Sequence, residues 1–267
     1  MLWFREKPRR AGKKGFGWIP DHPDVRDHRF TAHLPKLGSD VRLLPPSVDL
    51  RPSCPPIYDQ GELGSCTANA IAFTLQFDKM KEKLADVSIP SRLFIYYNER
   101  VIEGTVRSDA GAAIRDGMKV ISKIGDCPES MWPYVECKFA KRPAVAAYES
   151  ALKHTALNYG RLHQTLPDLK QCLSAGFPFV CGITVYDSFE SDAVARDGVV
   201  PLPDVSKEKD LGGHAVAVVG YDDIKQSFLM RNSWGSSWGI SGYCWIPYGY
   251  ILDPNLSCDR WAVKVVA

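Results

Sequence analysis

The spacing of apolar positions changes partway along this chain. After Cys66 the run Thr67-Ala68-Asn69-Ala70-Ile71-Ala72-Phe73-Thr74-Leu75-Gln76-Phe77 combines good helix formers with helical spacing, which predicts a helix to about Leu84. Two more helical patterns follow at Arg92–Arg100 and Ile114–Ile121. From about residue 177 the apolar runs become shorter and richer in β-branched and aromatic side chains. Phe179–Val185, Ala215–Val219, Phe228–Met230 and Tyr243–Ile246 read as strands. The pattern therefore predicts a mainly helical part over about 46–150 and a mainly β part over about 151–267, an α+β chain.

Residues 1–45 follow neither period. They are rich in Pro, Arg, Lys and Gly, and the prolines of Gly17-Trp18-Ile19-Pro20-Asp21-His22-Pro23-Asp24 argue against regular structure. Such a segment needs a surface to lie on. Phe16, Trp18 and Ile19 are the side chains that could fix it there, either as a packing strap or across a cleft. Residues 1–14 carry Arg5, Lys7, Arg9, Arg10, Lys13 and Lys14 against Glu6 alone, which reads as a solvated basic tail.

The chemistry gathers at three places. Cys66 starts the first helix after Gln60-Gly61-Glu62-Leu63-Gly64-Ser65, His214 precedes the strand Ala215–Val219, and Asn232 follows Ser227–Arg231. A thiol, an imidazole and a carboxamide in that order can act as nucleophile, base and orienter in acyl transfer. At a helix N-terminus the dipole lowers a thiol's pKa, and free backbone N–H groups can receive an oxyanion, to which the Gln60 amide can add a donor. His214 is expected at the edge of its strand. One of its nitrogens would face Asn232 and the other the sulfur, with Trp234 and Trp238 shielding the bond from water.

These blocks, with Pro46-Ser47-Val48-Asp49-Leu50-Arg51 and Gly212–Tyr221, resemble in order the papain-like cysteine peptidases of the C1 peptidase family, most of all its bacterial members with a short propeptide. The resemblance covers residues 46–267. It implies a two-lobed fold with a helical lobe, an antiparallel β-barrel lobe, and Cys66, His214, Asn232 and Gln60 in the cleft between them. It also implies a thiol endopeptidase, since no dedicated insertion blocks one end of the cleft, with residues 1–45 as a short, autoinhibitory pro-segment. Substrate-binding roles fall to Gly111, in the loop Ser108–Ala112, to Trp234 and to Asp259. An acidic pocket floor at Asp259 would accept basic side chains; a solvated carboxylate is the simpler account. Expected partners are protein or peptide substrates and proteinaceous cysteine-protease inhibitors. Two positions depart from the family: Thr67 stands where an aromatic is usual, and Leu63 replaces a cysteine that members pair in a disulfide. An inactive binding protein and a Cys-His acyltransferase are the competing classes.

Composition narrows the rest. The chain has 267 residues with 45% hydrophobic and 24% charged content, enough for a core that needs neither metal nor oligomer, so a monomer without cofactor is expected. A net charge of +2 gives no case for a nucleic-acid partner. Leu2-Trp3-Phe4 is far too short for the apolar part of a signal peptide, and no run approaches the roughly 20 residues of a membrane helix, which leaves the compartment open. The eight cysteines are Cys54, Cys66, Cys127, Cys137, Cys172, Cys181, Cys244 and Cys258. With Cys66 set aside an odd number remains, and Cys127–Cys137 is the pair close enough in sequence to bridge a loop. No CxxC occurs, so no structural zinc is expected.

Overall fold

Helix α1 (Cys66–Lys81) has no polar face, and such a helix has to be enclosed. In the computed structural model, which describes residues 15–30, 44–155 and 157–265, it is enclosed by α2 (Arg92–Glu103) and α3 (Ile114–Lys123) and by a β-sheet. The helix stops short of Leu84 because Lys83 takes left-handed backbone with φ of 54°. Helix α2 is longer than its apolar pattern: Ser91 caps the start by accepting from the Phe94 N–H, and Gly104, with φ of 73°, closes the end. Among the described residues four shorter α-helices follow: α4 (Val145–Ala151), α5 (Leu166–Ser174), α6 (Asp192–Asp197) and α7 (Tyr248–Leu252).

Among the described residues there are seven strands: β1 (Ser47–Asp49), β2 (Leu157–Arg161), β3 (Phe179–Tyr186), β4 (Asp210–Asp222), β5 (Ser227–Arg231), β6 (Tyr243–Pro247) and β7 (Ser257–Val265). They pair antiparallel in the order β2-β7-β3-β4-β5-β6, with β1 added on β4. Strand β4 explains why its sequence lacks alternation, since both of its faces are buried. Ala215, Ala217 and Val219 pack into the core around α1, while Val216, Val218 and Tyr221 join a second core with Phe179, Phe228 and Ile246. These two cores are the interiors of the helical and β parts.

Two sequence expectations need correction here. Strand β4 begins at Asp210, so His214 lies inside it, paired with Ile183 of β3, and not at its edge. Gly212 and Gly213 hid the beginning of the strand, because glycine carries no strand signal. Cys127 and Cys137 do not bridge: the first is buried, the second exposed, and all eight cysteines are free. The basic tail of residues 1–14 lies outside the described residues. Among the described residues no helix is long and apolar enough to cross a membrane, and no cluster of metal-ligating side chains occurs.

Candidate active site

The first turn of α1 presents Cys66 to β4. Its sulfur is fully buried and accepts from the Ala215 N–H at 3.3 Å, one residue beyond His214. His214 is also fully buried, and its Nε2 lies 2.8 Å from Asn232 Oδ1. Its Nδ1 has no hydrogen-bond partner among the described residues, so that nitrogen is available to a proton donor or acceptor placed at the cleft. The Asn232 oxygen also accepts from the Ser233 N–H at 2.8 Å, which fixes the amide's orientation. Trp234 lies along the imidazole with ring centroids 4.9 Å apart, whereas Trp238 sits one layer out, against Trp234 and Phe189. Trp234 is therefore a wall of the histidine, and Trp238 supports that wall.

Gln60 joins the same assembly. Its Oε1 accepts from the Ser233 hydroxyl at 2.6 Å and its N–H donates to the Ser233 carbonyl at 2.9 Å, tying the loop before α1 to the segment that carries Asn232. Its Nε2 donates to the carbonyls of Leu63 and Gly15, both at 2.9 Å. The loop is braced from below: Tyr134 Oη donates to the Gln60 carbonyl at 2.8 Å and pairs with Ser65 Oγ at 2.6 Å. Arg92, held by Glu129 in two hydrogen bonds, donates to the Asp59 carbonyl and to Asn69 Oδ1. Sequence reading missed Ser233, Tyr134 and Arg92, because nothing in their local patterns separates them from ordinary polar residues.

Residues 15–30 cross the cleft over this assembly. The Gly17 carbonyl accepts from the Ala112 N–H at 2.7 Å, the Ile19 N–H donates to the Ala112 carbonyl at 3.0 Å, and the Trp18 N–H donates to the Gly213 carbonyl at 2.9 Å. Gly111, with φ of 77°, passes so close to Gly17 that a Cβ there would overlap the Gly17 backbone. Phe16 stands edge-on to His214 at 6.0 Å. The Trp18 indole fills a slot whose sides are Gly182 and Gly213, where added Cβ atoms would overlap it, and its Nε1 donates to Asp259 Oδ2 at 3.2 Å. Ile19 holds its place through backbone bonds only, with its side chain exposed.

Asp259 is neither solvated nor an open acidic floor. It is 1% exposed, has a φ of 57°, accepts from Trp18 and from the Asp21 N–H at 2.7 Å, and pairs with Arg161. Around it the segment is fastened by charge. Asp27 accepts from Arg115 at 2.7 and 2.9 Å and from Arg161 at 3.0 Å, while Asp21 accepts from the Trp261 Nε1 and the Arg115 N–H. Further on, the Arg161 N–H donates to the His28 carbonyl at 2.7 Å, and Phe30 is buried against Phe177.

Burial shifts both groups of the Cys66–His214 pair toward their neutral forms. Loss of water pushes the Cys66 thiol up to about 11, against the smaller opposing effect of the Ala215 and Gly17 N–H groups. The same loss pushes His214 down to about 4, partly offset by Asn232. With residues 15–30 in place, the pair is a neutral thiol and a neutral imidazole at pH 7.

The fold belongs to a known class. The family model "Papain family cysteine protease" matches residues 44–258, and the chain is a member of that family, a two-lobed cysteine peptidase. It is similar along nearly its whole length to xylellain, a cysteine protease from Xylella fastidiosa, with 44% identity, a TM-score of 0.87, and coverage of 97% of this chain and 99% of that one. It is 40% identical to an uncharacterized peptidase C1-like protein, L477, of Acanthamoeba polyphaga mimivirus, over 95% of this chain and 88% of the relative. A cathepsin B-like protein, CP3, of Giardia intestinalis is 28% identical over 80% of this chain and 73% of its own.

Proposed function

We propose that this peptidase is an endopeptidase working through Cys66, His214, Asn232 and Gln60, and that residues 15–30 inhibit it by lying in its cleft. The observation that carries the reading is the bond from His214 Nε2 to Asn232 Oδ1, which leaves Nδ1 without a partner on the strand next to the Cys66 sulfur. The Cys66 thiolate attacks a peptide carbonyl, and the Cys66 N–H with the Gln60 amide receives the oxyanion. The C–N bond then breaks as the His214 imidazolium gives its proton to the leaving amine. Water, losing a proton to the now neutral His214, attacks the thioester; the C–S bond breaks, the acid product leaves, and the thiolate and imidazolium are restored.

The inhibitory role rests on what residues 15–30 occupy. The Gly15 carbonyl takes the Gln60 donor, Gly17 takes the backbone edge at Gly111 and Ala112, and Trp18 takes the slot over Asp259. On this reading Gly111 offers substrate its backbone edge, Trp234 walls the histidine, and Asp259 orients what enters the slot. Because Asp259 is already paired with Arg161, the slot suits an aromatic side chain bearing a donor better than a basic one. Residues 46–267 form the peptidase domain and residues 1–45 the pro-segment of a zymogen. The partners are protein or peptide substrates and proteinaceous cysteine-protease inhibitors, met by a monomer.

The test is peptide cleavage together with labelling by an epoxysuccinyl electrophile and mass mapping of the adduct. The reading requires a single adduct at Cys66 and loss of cleavage in Cys66→Ala. Cleavage by Cys66→Ala at the wild-type rate would end it.

A further inference from the structure

One buried acid lies beside the nucleophile and has no part in the mechanism above. Glu99, on α2, is fully buried. Its Oε2 accepts from the hydroxyl of Thr67, the residue after Cys66, at 2.9 Å, and its Oε1 has no partner among the described residues. Room for that carboxyl is made by Gly117 on α3, where a Cβ would overlap Glu99 Oε1. Where an aromatic residue is usual in the family, this chain therefore has a hydroxyl bonded to a carboxyl group.

Among the described residues no cation is bonded to that carboxyl. Arg100 on the same helix is spent on carbonyls: those of Tyr96, Val106 and Ser108, and that of Phe139 at 2.6 Å. Glu103, one turn along, accepts from the Ala113 N–H and is itself an acid. Asp116 faces from α3 and is paired with Lys119 at 2.7 Å. Across on α1 stand Cys66 and Thr67. A buried carboxylate with one neutral donor and acids around it is unfavourable, so the group keeps its proton. Burial first, and then Glu103 and Asp116, push Glu99 well above the ordinary carboxyl range, against Thr67 and Arg100.

We propose that Glu99 is a proton-bearing acid tied to the nucleophile's helix through Thr67, and that its ionisation opposes the Cys66 thiolate and limits the peptidase on the alkaline side. Glu99 acts through Thr67 and through charge, as a positioning residue. A neutral Glu99 leaves the helix N-terminus free to favour a thiolate. An ionised one places a like charge beside it, and the Glu99 charge acts on Cys66 in that direction. The inference rests on Cys66 being the nucleophile, but its test needs no turnover and can be made on the intact chain.

The first arm is infrared spectroscopy of wild type minus Glu99→Gln at neutral pH, where the carbonyl stretch of a protonated carboxylic acid is expected, disappearing as pH rises. The second is the ultraviolet absorbance of the Cys66 thiolate, taken against Cys66→Ala as the blank. Glu99→Gln keeps an acceptor for Thr67, and should give roughly threefold or more thiolate at a given alkaline pH. Thr67→Val removes the donor that favours the carboxylate, so the acid band should persist to higher pH; it carries the test alone if Glu99→Gln does not fold. Absence of a Glu99 acid band at neutral pH would overturn the proposal. So would a Cys66 titration that is the same in wild type and in Glu99→Gln, and so would an acid band that Thr67→Val leaves unmoved. Inactivity of Cys66→Ala tests the nucleophile separately, so the two readings fail by different measurements.

Discussion

Gln60 Nε2 donates to the Gly15 carbonyl at 2.9 Å, so the donor suited to an oxyanion is occupied by the chain's own backbone. Neighbouring bonds extend that occupation along the cleft through Gly17 and Trp18. The consequences can be measured one residue at a time.

Trp18 is the segment's apolar anchor in the slot over Asp259, 7% exposed there. Replacing a buried tryptophan by alanine costs about 3 kcal/mol, which corresponds to roughly a hundredfold more of the open form. Full-length Trp18→Ala should therefore label at Cys66 about a hundred times faster than wild type with a peptidyl electrophile. Equal rates would show that Trp18 does not hold the cleft closed.

Gly182→Ala attacks the same contact from the other side. Its Cβ would overlap the indole, so Trp18 is expelled and electrophile labelling speeds up. The slot also becomes shallower, and KM for peptides with a large aromatic side chain there should rise about tenfold while small side chains are little affected. A variant that labels no faster and shows no such split would mean the slot is not used.

The closed form responds to pH through two groups of opposite sign. His214 is pushed down to about 4 by burial, so its contribution to closure is complete above its ordinary 6.5 and fades as pH falls toward 4. Asp21 is pushed up to about 6 by burial and by Asp259, so it strengthens closure as pH falls from 6 toward its ordinary 3.8. The two effects oppose each other as pH falls from 6 toward 4. Asp21→Asn should leave the His214 effect alone and make the segment open on acidification from 6.5 to 4, followed by Trp18 fluorescence or limited proteolysis. A wild-type chain that opens just as steeply would show that Asp21 is not the opposing group.

Asn232→Ala removes the acceptor of His214 Nε2 while leaving the thiol and imidazole in place. Turnover should fall by about ten- to a hundredfold, less than for Cys66→Ala, with the loss in kcat rather than KM. A loss as complete as that of Cys66→Ala would make Asn232 more than an orienter.

Tyr134→Phe removes the hydroxyl that bonds the Gln60 carbonyl and Ser65 Oγ. Loosening that loop misplaces the oxyanion donors, and kcat should fall by about tenfold with KM and the melting temperature little changed. A fall confined to KM would place Tyr134 in substrate binding.

Sequence alone determined the elements with a strong local signature. Helix α1 and strands β3 and β5 were readable because an enclosed helix and an enclosed strand each leave a continuous apolar run of characteristic length. Cys66, His214, Asn232 and Gln60 each sit in a short distinctive block, from which their roles are proposed. Strand β7 was not readable, since Asp259 and Arg260 interrupt its pattern, and Asp259 makes sense only beside Arg161 and Trp18. Tertiary structure decided what Asp259 contacts, which residues brace Gln60, and that Glu99 bonds the residue after Cys66. Those relationships join residues far apart in the chain, and burial, partner and charge at such contacts are properties of the folded neighbourhood that no local pattern encodes.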